Sequence, residues 1–293
     1  MLVELAVGDA YGAGFEYADR ETVRAGNDLS RYVRHPRHRI IPGHYTDDTQ
    51  MSIALAEAIV DDLPWTREAL AQKFVEVFQR DPREGYSGGF YDLLRGVRDG
   101  RELVAALRAD SDKSGAAMRA TPIGVYATVE EVIARCRTQA AITHDTPDGI
   151  NAAVAAALLA HYFLYDLGPK AEVGHFLERH VPGEWSAPWQ GKVKSKGWMS
   201  VRAAVTAIQA SESLSRLLWA CVDYTGDVDT VAAIALAAGS RAREITPNLP
   251  DHLLYGLENG AYGRDYLAAL DERLAARVAR QRAMEEGGGS CER

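Results

Sequence analysis

Thr46-Asp47-Asp48-Thr49-Gln50-Met51-Ser52-Ile53-Ala54-Leu55-Ala56 places four oxygen-bearing side chains where a loop gives way to an apolar-periodic run. Pro42-Gly43 ahead of it supplies turn chemistry, so Thr46 to Asp48 read as the start of a helix. Thr and Asp accept hydrogen bonds from the first free N–H groups of a helix, and acids suit the positive end of its dipole. One acid and one hydroxyl are enough for that purpose. The surplus of hard oxygen ligands points to a cation, and a cation site needs a second half elsewhere in the chain.

The same helical period runs through most of the sequence. Apolar residues recur at three- and four-residue spacing over 51–60, 65–78, 116–125, 129–140 and 149–164, then over 201–208, 214–222, 230–238, 253–257 and 262–284. Ser213 before Leu214, and Thr246-Pro247 leading towards Pro250-Asp251, read as helix starts. No period-two strand is evident, nor a hairpin dipeptide between β-branched runs. The expected fold is all-α: a single compact domain of roughly a dozen helices over residues 1–284. A flexible tail, 285–293, with Gly287-Gly288-Gly289-Ser290 is expected to follow. The Pro- and Gly-rich stretch 168–197, with Lys192-Val193-Lys194-Ser195-Lys196, reads as a surface excursion within the domain.

Composition narrows the function. The 293 residues are 47% apolar and 25% charged, as in an ordinary globular protein. A net charge of −8 argues against a nucleic-acid backbone as main partner and leaves a local anion site open. Stable nucleic-acid binding is therefore not expected. Cys136, Cys221 and Cys291 are far apart and form no CxxC pair, which fits a reducing cytoplasm. Met1-Leu2-Val3-Glu4 lacks the basic start of a signal peptide, and the most apolar run, 152–160, is too short to span a bilayer. A soluble, cytoplasmic monomer without a membrane partner is the expectation.

The second half of the opening motif is Tyr224-Thr225-Gly226-Asp227-Val228-Asp229-Thr230, which again leads into a small-residue helix. Gly226 permits a tight turn, and Asp227 and Asp229 can converge from irregular backbone. Burying Asp47, Asp48, Asp227 and Asp229 together without compensation would be prohibitive. Two divalent cations would neutralise them, and an all-oxygen donor set favours Mg²⁺ or Mn²⁺ over Zn²⁺.

Two all-α rivals fit less well. Terpenoid synthases carry Asp-Asp-x-x-Asp on a helix, but position 51 is Met. His144-Asp145 matches the dipeptide of HD phosphohydrolases, yet His35, His38 and His44 lie in a polar loop and not on helices. The sequence instead resembles the ADP-ribosylglycohydrolase family. Its markers occur in order: Gly8-Asp9-Ala10-Tyr11-Gly12 with Glu16, Thr46 to Met51, Ser114-Gly115-Ala116-Ala117-Met118-Arg119 followed by Pro122, Thr143-His144 with Pro147, and Gly226 to Thr230.

The resemblance implies a metal-dependent hydrolase that cleaves the glycosidic bond between ADP-ribose and a modified acceptor: a protein side chain, a nucleic acid or a small molecule. Thr46, Asp47, Asp48, Asp227, Asp229 and Thr230 would hold the two cations. The diol of the distal ribose, which carries the scissile bond, would be chelated by them while a metal-bound water attacks the anomeric carbon. Glu16, with Asp47 and Asp48, is the catalytic candidate, in a gating or acid/base role. Asp9 is expected to be structural, capping the glycine turn, and Thr49 to cap the helix. Lys113, Ser114, Gly115, Met118, His144 and Trp198 would contact the ligand, Lys113 and Ser114 replacing the family's usual amide. Tyr86 or Ser87 stands where relatives often place an acidic general base, and Thr225 where the terminal motif usually has a second Gly. The alternative class is a non-catalytic ADP-ribose binder or structural descendant of the same fold.

Overall fold

The computed structural model describes residues 1–288, with side-chain surroundings up to residue 283. Fifteen α-helices follow one another among the described residues: α1 (Leu2–Ala13), α2 (Arg20–Gly26), α3 (Asp47–Val60), α4 (Arg67–Arg80), α5 (Gly88–Gly96), α6 (Gly100–Ala106), α7 (Gly115–Met118), α8 (Val129–Ala140), α9 (Pro147–Leu164), α10 (Val173–His180), α11 (Gly197–Ala210), α12 (Leu214–Asp223), α13 (Val228–Gly239), α14 (Asp251–Gly256) and α15 (Arg264–Gly288). Short 3-10 turns occupy Thr121–Val125 and Lys170–Glu172. β-structure among the described residues is limited to isolated bridges between loops. None of the described helices is long and apolar enough to cross a membrane.

Helices that are apolar on every side belong in the interior. Every residue of α13 is buried, and so is each residue of α9 from Ala152 to Phe163. Alanines dominate both, so neighbouring backbones approach closely. Around α13 lie α1, α9, α11 and α12, with α3 next to them. One buried apolar cluster extends from Met1 to Val278.

The tightest approach is between α1 and α13. A Cβ on Gly8 would lie 2.6 Å from the Ala232 carbonyl oxygen, and one on Gly12 only 2.4 Å from Asp229 Cα. These two glycines, one helical turn apart, form the flat face on which α13 rests. The segment expected to be a motif-bearing turn is therefore the interior of a helix. Polar residues of the buried α3 are also paired. Gln50 donates to the Asp81 carbonyl (2.5 Å) and accepts from the Tyr86 hydroxyl (2.7 Å), while Glu57 receives Arg80 and the Tyr266 hydroxyl.

Several expected boundaries move. The run 116–125 is broken into α7 and the 3-10 turn, where Pro122 removes a donor. Thr246 does not cap α14; its N–H bonds to the Glu212 carbonyl, and Pro250 stands at the N-cap without a side-chain bond. Ser213 does cap α12, accepting from the Arg216 N–H. The stretch 168–197 contains α10 and the buried Trp185, and its end pairs with the turn before α13. Helix α15 continues through Gly288, so 285–288 of the expected tail are helical, while 289–293, with Cys291, lie outside the described residues.

Gly12→Ala forces two backbones apart and is expected to cost about 3 kcal/mol, the upper end of overpacking penalties. Gly96→Ala, where an added Cβ meets nothing within 4 Å, is expected to change stability by under about 1 kcal/mol. Urea denaturation of the two variants gives the comparison, and equal midpoints would refute the packing account.

Candidate functional site

The start of α3 is held from outside the helix. Asp9, in the middle of α1, is fully buried. Its Oδ2 accepts from the Thr46 N–H (2.9 Å), the Thr49 N–H (3.0 Å) and the Thr49 hydroxyl (2.6 Å), and its Oδ1 from the Thr46 hydroxyl (2.6 Å). Asp9 thus caps α3, not its own glycine turn, and Thr49 is a donor to it, not a cap. The four donors favour the ionised form that burial opposes. With the helix end satisfied by Asp9, Asp47 and Asp48 are free to face the cavity. Thr46 gives its only hydroxyl proton to Asp9 and keeps its oxygen lone pairs for another partner.

The start of α13 is held by loops. Gly226 has φ of +99°, and a Cβ there would collide with the Val193 carbonyl oxygen at 1.8 Å. Val193 N–H donates to the Thr225 carbonyl (3.0 Å), Asp227 N–H to the Val193 carbonyl (3.1 Å), and Tyr17 N–H to the Gly226 carbonyl (2.8 Å). Thr225 itself has φ of +66°, a left-handed conformation that costs a residue with a Cβ roughly 1 kcal/mol or more. The family's second glycine would relieve that strain. Asp227 is the N-cap residue and Asp229 sits in the first turn, while the Ser200 hydroxyl donates to Asp227 (3.3 Å).

Both helix starts open on one cavity of about 610 Å³, within the range of small-molecule sites. Asp47, Asp48, Asp227, Asp229, Thr230 and Glu16 line it. Carboxylate oxygens of Glu16, Asp227 and Asp229 come within 4.8 Å of one another. Glu16 therefore belongs to the acidic cluster itself. Thr46 lies just behind the wall, against Asp9. Burial, then mutual repulsion, pushes the carboxyls of Asp47, Asp48 and Asp229 well up. Asp227 rises to about 7, from burial and the Glu16 charge, against hydrogen bonds from Ser114, Ser200 and Thr230.

Two buried carboxylate oxygens, Asp48 Oδ1 and Asp229 Oδ1, have no hydrogen-bond partner. No Lys or Arg among the described residues forms a salt bridge with Asp47, Asp48, Asp227 or Asp229. An orphaned, all-oxygen, carboxylate-rich donor set has the chemistry of a divalent-cation site.

Other expected residues divide. Lys113, Ser114, Gly115, Met118 and His144 line the cavity. Trp198 is not among the cavity-lining residues; it packs edge-to-face on Trp189 at 5.9 Å. Sequence reasoning passed over Arg119, which lines the cavity although only 1% exposed. Its guanidinium stacks on Phe74 and donates to Gln139 Oε1 (2.7 Å) and Thr143 Oγ1 (2.8 Å). Thr143 Oγ1, already accepting from Arg119, meets His144 Nδ1 at 2.6 Å. The Thr143 hydroxyl thus ties the Arg119 guanidinium to one nitrogen of the His144 ring and fixes the ring's orientation. Burial and Arg119 push His144 down to about 3, so the ring is neutral. Its buried Nε2 has no protein partner and faces the cavity as an unsatisfied polar atom.

Tyr86 and Ser87, expected at the place of the family's base, are set differently. The Tyr86 hydroxyl donates to Gln50 Oε1, and burial and Asp47 hold its pKa well above the usual phenol range. Ser87 is exposed at the start of α5. His35, set aside as a loop histidine, is buried and contacts Glu16 Oε2 through Nε2 at 2.8 Å. Its Nδ1 accepts from the N–H groups of Arg37 and His38 (2.9 and 2.8 Å), so Nε2 carries the proton donated to Glu16. The isolated helix period gave no signal for this contact, which a loop makes.

The sequence profile described as ADP-ribosylglycohydrolase matches residues 1–284. The chain belongs to the ADP-ribosylglycohydrolase family. Among relatives, the ADP-ribosyl-[dinitrogen reductase] glycohydrolase of Rhodospirillum rubrum is 24% identical over 287 residues, covering 94% of this chain and 91% of that protein. ADP-ribosylhydrolase ARH3 of Xenopus tropicalis is 27% identical over 186 residues, or 60% of this chain and 53% of that protein. The chain thus spans about half the length of the ARH3 relatives from Xenopus tropicalis and mouse. A solved structure titled "ADP-ribosylglycohydrolase-related protein complex" shares the fold, with a TM-score of 0.72, 21% identity, and coverage of 94% of this chain and 96% of the other. In this family member all five marker segments supply residues to the one cavity or, through Asp9, to its frame.

Raised carboxyl pKa values mean that the folded state holds protons the unfolded chain has released. The resulting stability is full at low pH and lost as pH rises through about 7, the folded value of Asp227. In chelator, the melting temperature is expected to fall between about pH 5 and about pH 8. Mg²⁺ or Mn²⁺ is expected to raise it more at the upper pH, where the cluster is ionised. A melting temperature that climbs over that interval in chelator would contradict the cluster's electrostatics.

Proposed function

We propose that the protein is a Mg²⁺- or Mn²⁺-dependent hydrolase that releases ADP-ribose from a modified acceptor. The observation that carries this reading is the pair of buried, unpartnered oxygens, Asp48 Oδ1 and Asp229 Oδ1, in a cavity lined by the family's marker residues. Family membership and the names of the relatives support the reaction class. Thr46, Asp47 and Asp48 on one side, and Asp227, Asp229 and Thr230 on the other, would hold two cations. Cations held there would neutralise the cluster and would supply Lewis-acid activation of a water and of a ribose hydroxyl.

The chain's own residues supply the rest. Carboxylates near the anomeric carbon stabilise positive charge developing there in an oxocarbenium-like transition state. Glu16, held by the His35 Nε2–H at 2.8 Å, stands beside Asp227 and Asp229 and can accept or return a proton at the acceptor. The neutral His144 ring offers its unpartnered Nε2 to a polar ligand atom, and the Arg119–Thr143 contact holds the ring in that orientation. Ser114 and Gly115, with the exposed Lys113 beside them, offer a hydroxyl, a backbone N–H and a cation to the pyrophosphate.

A second reading, a non-catalytic ADP-ribose binder, draws on Tyr86 and Ser87, neither of which can serve as base in its observed setting. ADP-ribosylated arginine, serine and oligonucleotide, incubated with and without EDTA, separate the two. Metal-dependent release from any of them supports the hydrolase. ADP-ribose binding by calorimetry with no release from all three favours the binder. Asp227→Asn is expected to lower kcat/KM about 10³-fold, equivalent to about 4 kcal/mol, and to remove metal-induced thermal stabilisation. Retention of both would refute the site.

The His35 contact has its own test. His35→Leu is expected to lower kcat about tenfold with KM changed less than about threefold. His35→Gln, which keeps an N–H near the Nε2 position, is expected to restore most of it. Equal effects of the two variants would reduce His35 to a packing role.

A further inference from the structure

The mouth of the cavity carries the opposite sign from its floor and from the chain as a whole. Two loops meet there. The first, from Arg31 to Arg39, holds four arginines and two histidines and no acid; the second, from Lys192 to Lys196, holds three lysines and no acid. Seven of the 33 Lys and Arg residues thus fall in two short segments of a chain whose net charge is −8. Such a concentration outnumbers the neighbouring acids Glu16, Asp19 and Glu21, even with Lys196 paired to Asp112.

Contacts fix where these loops stand. His35 is bonded to the cavity-lining Glu16, and Val193 is stitched to Thr225 and Asp227. Tyr17, which lines the cavity next to Glu16, has the Arg37 guanidinium 5.2 Å and the Lys192 ammonium 5.7 Å from its ring centroid. One ring at the mouth therefore gathers a cation from each loop. Arg34, Arg37, Arg39, Lys192 and Lys194 are exposed, and none forms a salt bridge with an acid among the described residues. Asp112, an acid of the adjoining loop, is neutralised by Lys196.

Resting on the hydrolase reading, we propose that this basic rim receives the phosphate backbone of the acceptor, and that the acceptor is an ADP-ribosylated nucleic acid. A nucleic acid brings an obligatory negative charge on each nucleotide flanking the modified one, whatever its sequence. Long, exposed, unpaired cations without a charge partner of their own match such a repeating charge. An acidic peptide would supply it only where its sequence happened to. The acidic remainder of the surface repels a polyanion, so engagement is confined to the rim and is brief. That fits an enzyme that must release its product.

Arg37→Gln/Lys192→Gln removes two rim charges and keeps the Arg37 backbone N–H that bonds His35. On an ADP-ribosylated single-stranded oligonucleotide, kcat/KM is expected to fall about tenfold, and its log–log salt dependence to become shallower by about 1.4. On ADP-ribosylarginine, kcat/KM is expected to stay within about twofold. Arg39→Gln/Lys194→Gln, at residues outside the cavity lining, is expected to act in the same direction. An equal fall on both substrates would assign the cations to ADP-ribose itself and overturn the proposal. So would no change on either, or a loss seen with an ADP-ribosylated acidic peptide and not with the oligonucleotide. If the unaltered protein releases ADP-ribose from no substrate, the hydrolase reading fails separately. Fluorescence anisotropy with an unmodified labelled oligonucleotide then tests the rim alone, and equal affinity of the unaltered and double-variant proteins would refute it.

Discussion

One helix sets the distance between the two acidic pairs. On one side α1 offers Asp9, whose carboxylate takes four hydrogen bonds from the first turn of α3 and so fixes where Asp47 and Asp48 begin. Nearly one turn further along, Gly12 rests on the Cα of Asp229, with no room for even a methyl group. The two halves of the cluster are thus each referred to the same rigid rod through contacts of opposite kinds, one polar and directional, one purely steric. A buried carboxylate that accepts four bonds is costly to disturb, because each donor left behind loses its only partner. Neither half could shift without breaking a contact to α1.

That frame explains how so much like charge can be concentrated. Repulsion between buried carboxylates would ordinarily push helix starts apart; here it is met by proton uptake, with the helix starts held in place. Here the backbone geometry is set by groups outside the cluster: Asp9 for α3, and Val193 with Tyr17 N–H for the turn before α13. The carboxylates are then left with unpartnered oxygens and raised pKa values. Energy that would be gained by relaxing the cluster is withheld until an opposite charge arrives. Preorganisation of this kind lowers the reorganisation needed on binding and keeps ligand atoms within narrow limits.

Much of this was legible in the sequence, for identifiable reasons. Long helices such as α8 and α9 announce themselves by period, and Asp47, Asp48, Asp227 and Asp229 exceed what capping needs. Other parts left no one-dimensional trace. α1 is buried nearly all round and carries two glycines, so it has neither an amphipathic stripe nor a good helix-forming composition, and it reads as a turn. Asp9 caps a helix 37 residues away, and capping rules look only at neighbours. An aromatic at a helix start looks available to a ligand, but Trp198 packs edge-to-face on Trp189 from the preceding loop and stands outside the cavity lining. The contact from Arg119 through Thr143 to His144 joins residues 24 positions apart. No spacing rule encodes that.

The charge balance carries the same lesson in a sharper form. A net charge is a sum over the whole surface, and at physiological ionic strength a charge is felt over about 8 Å. A ligand at the mouth of the cavity therefore responds to the few groups within that reach and hardly to the total. Folding brings the 31–39 and 192–196 loops, far apart in sequence, to either side of the Tyr17 ring. It also withdraws the acids of the cluster into the floor, where their pKa values are raised and a cation site would cancel them. The sequence total of −8 was a fair argument against wrapping a long polyanion and a poor one against meeting the end of one. Which of these applies is decided by where the chain puts its arginines, and that is a property of the fold.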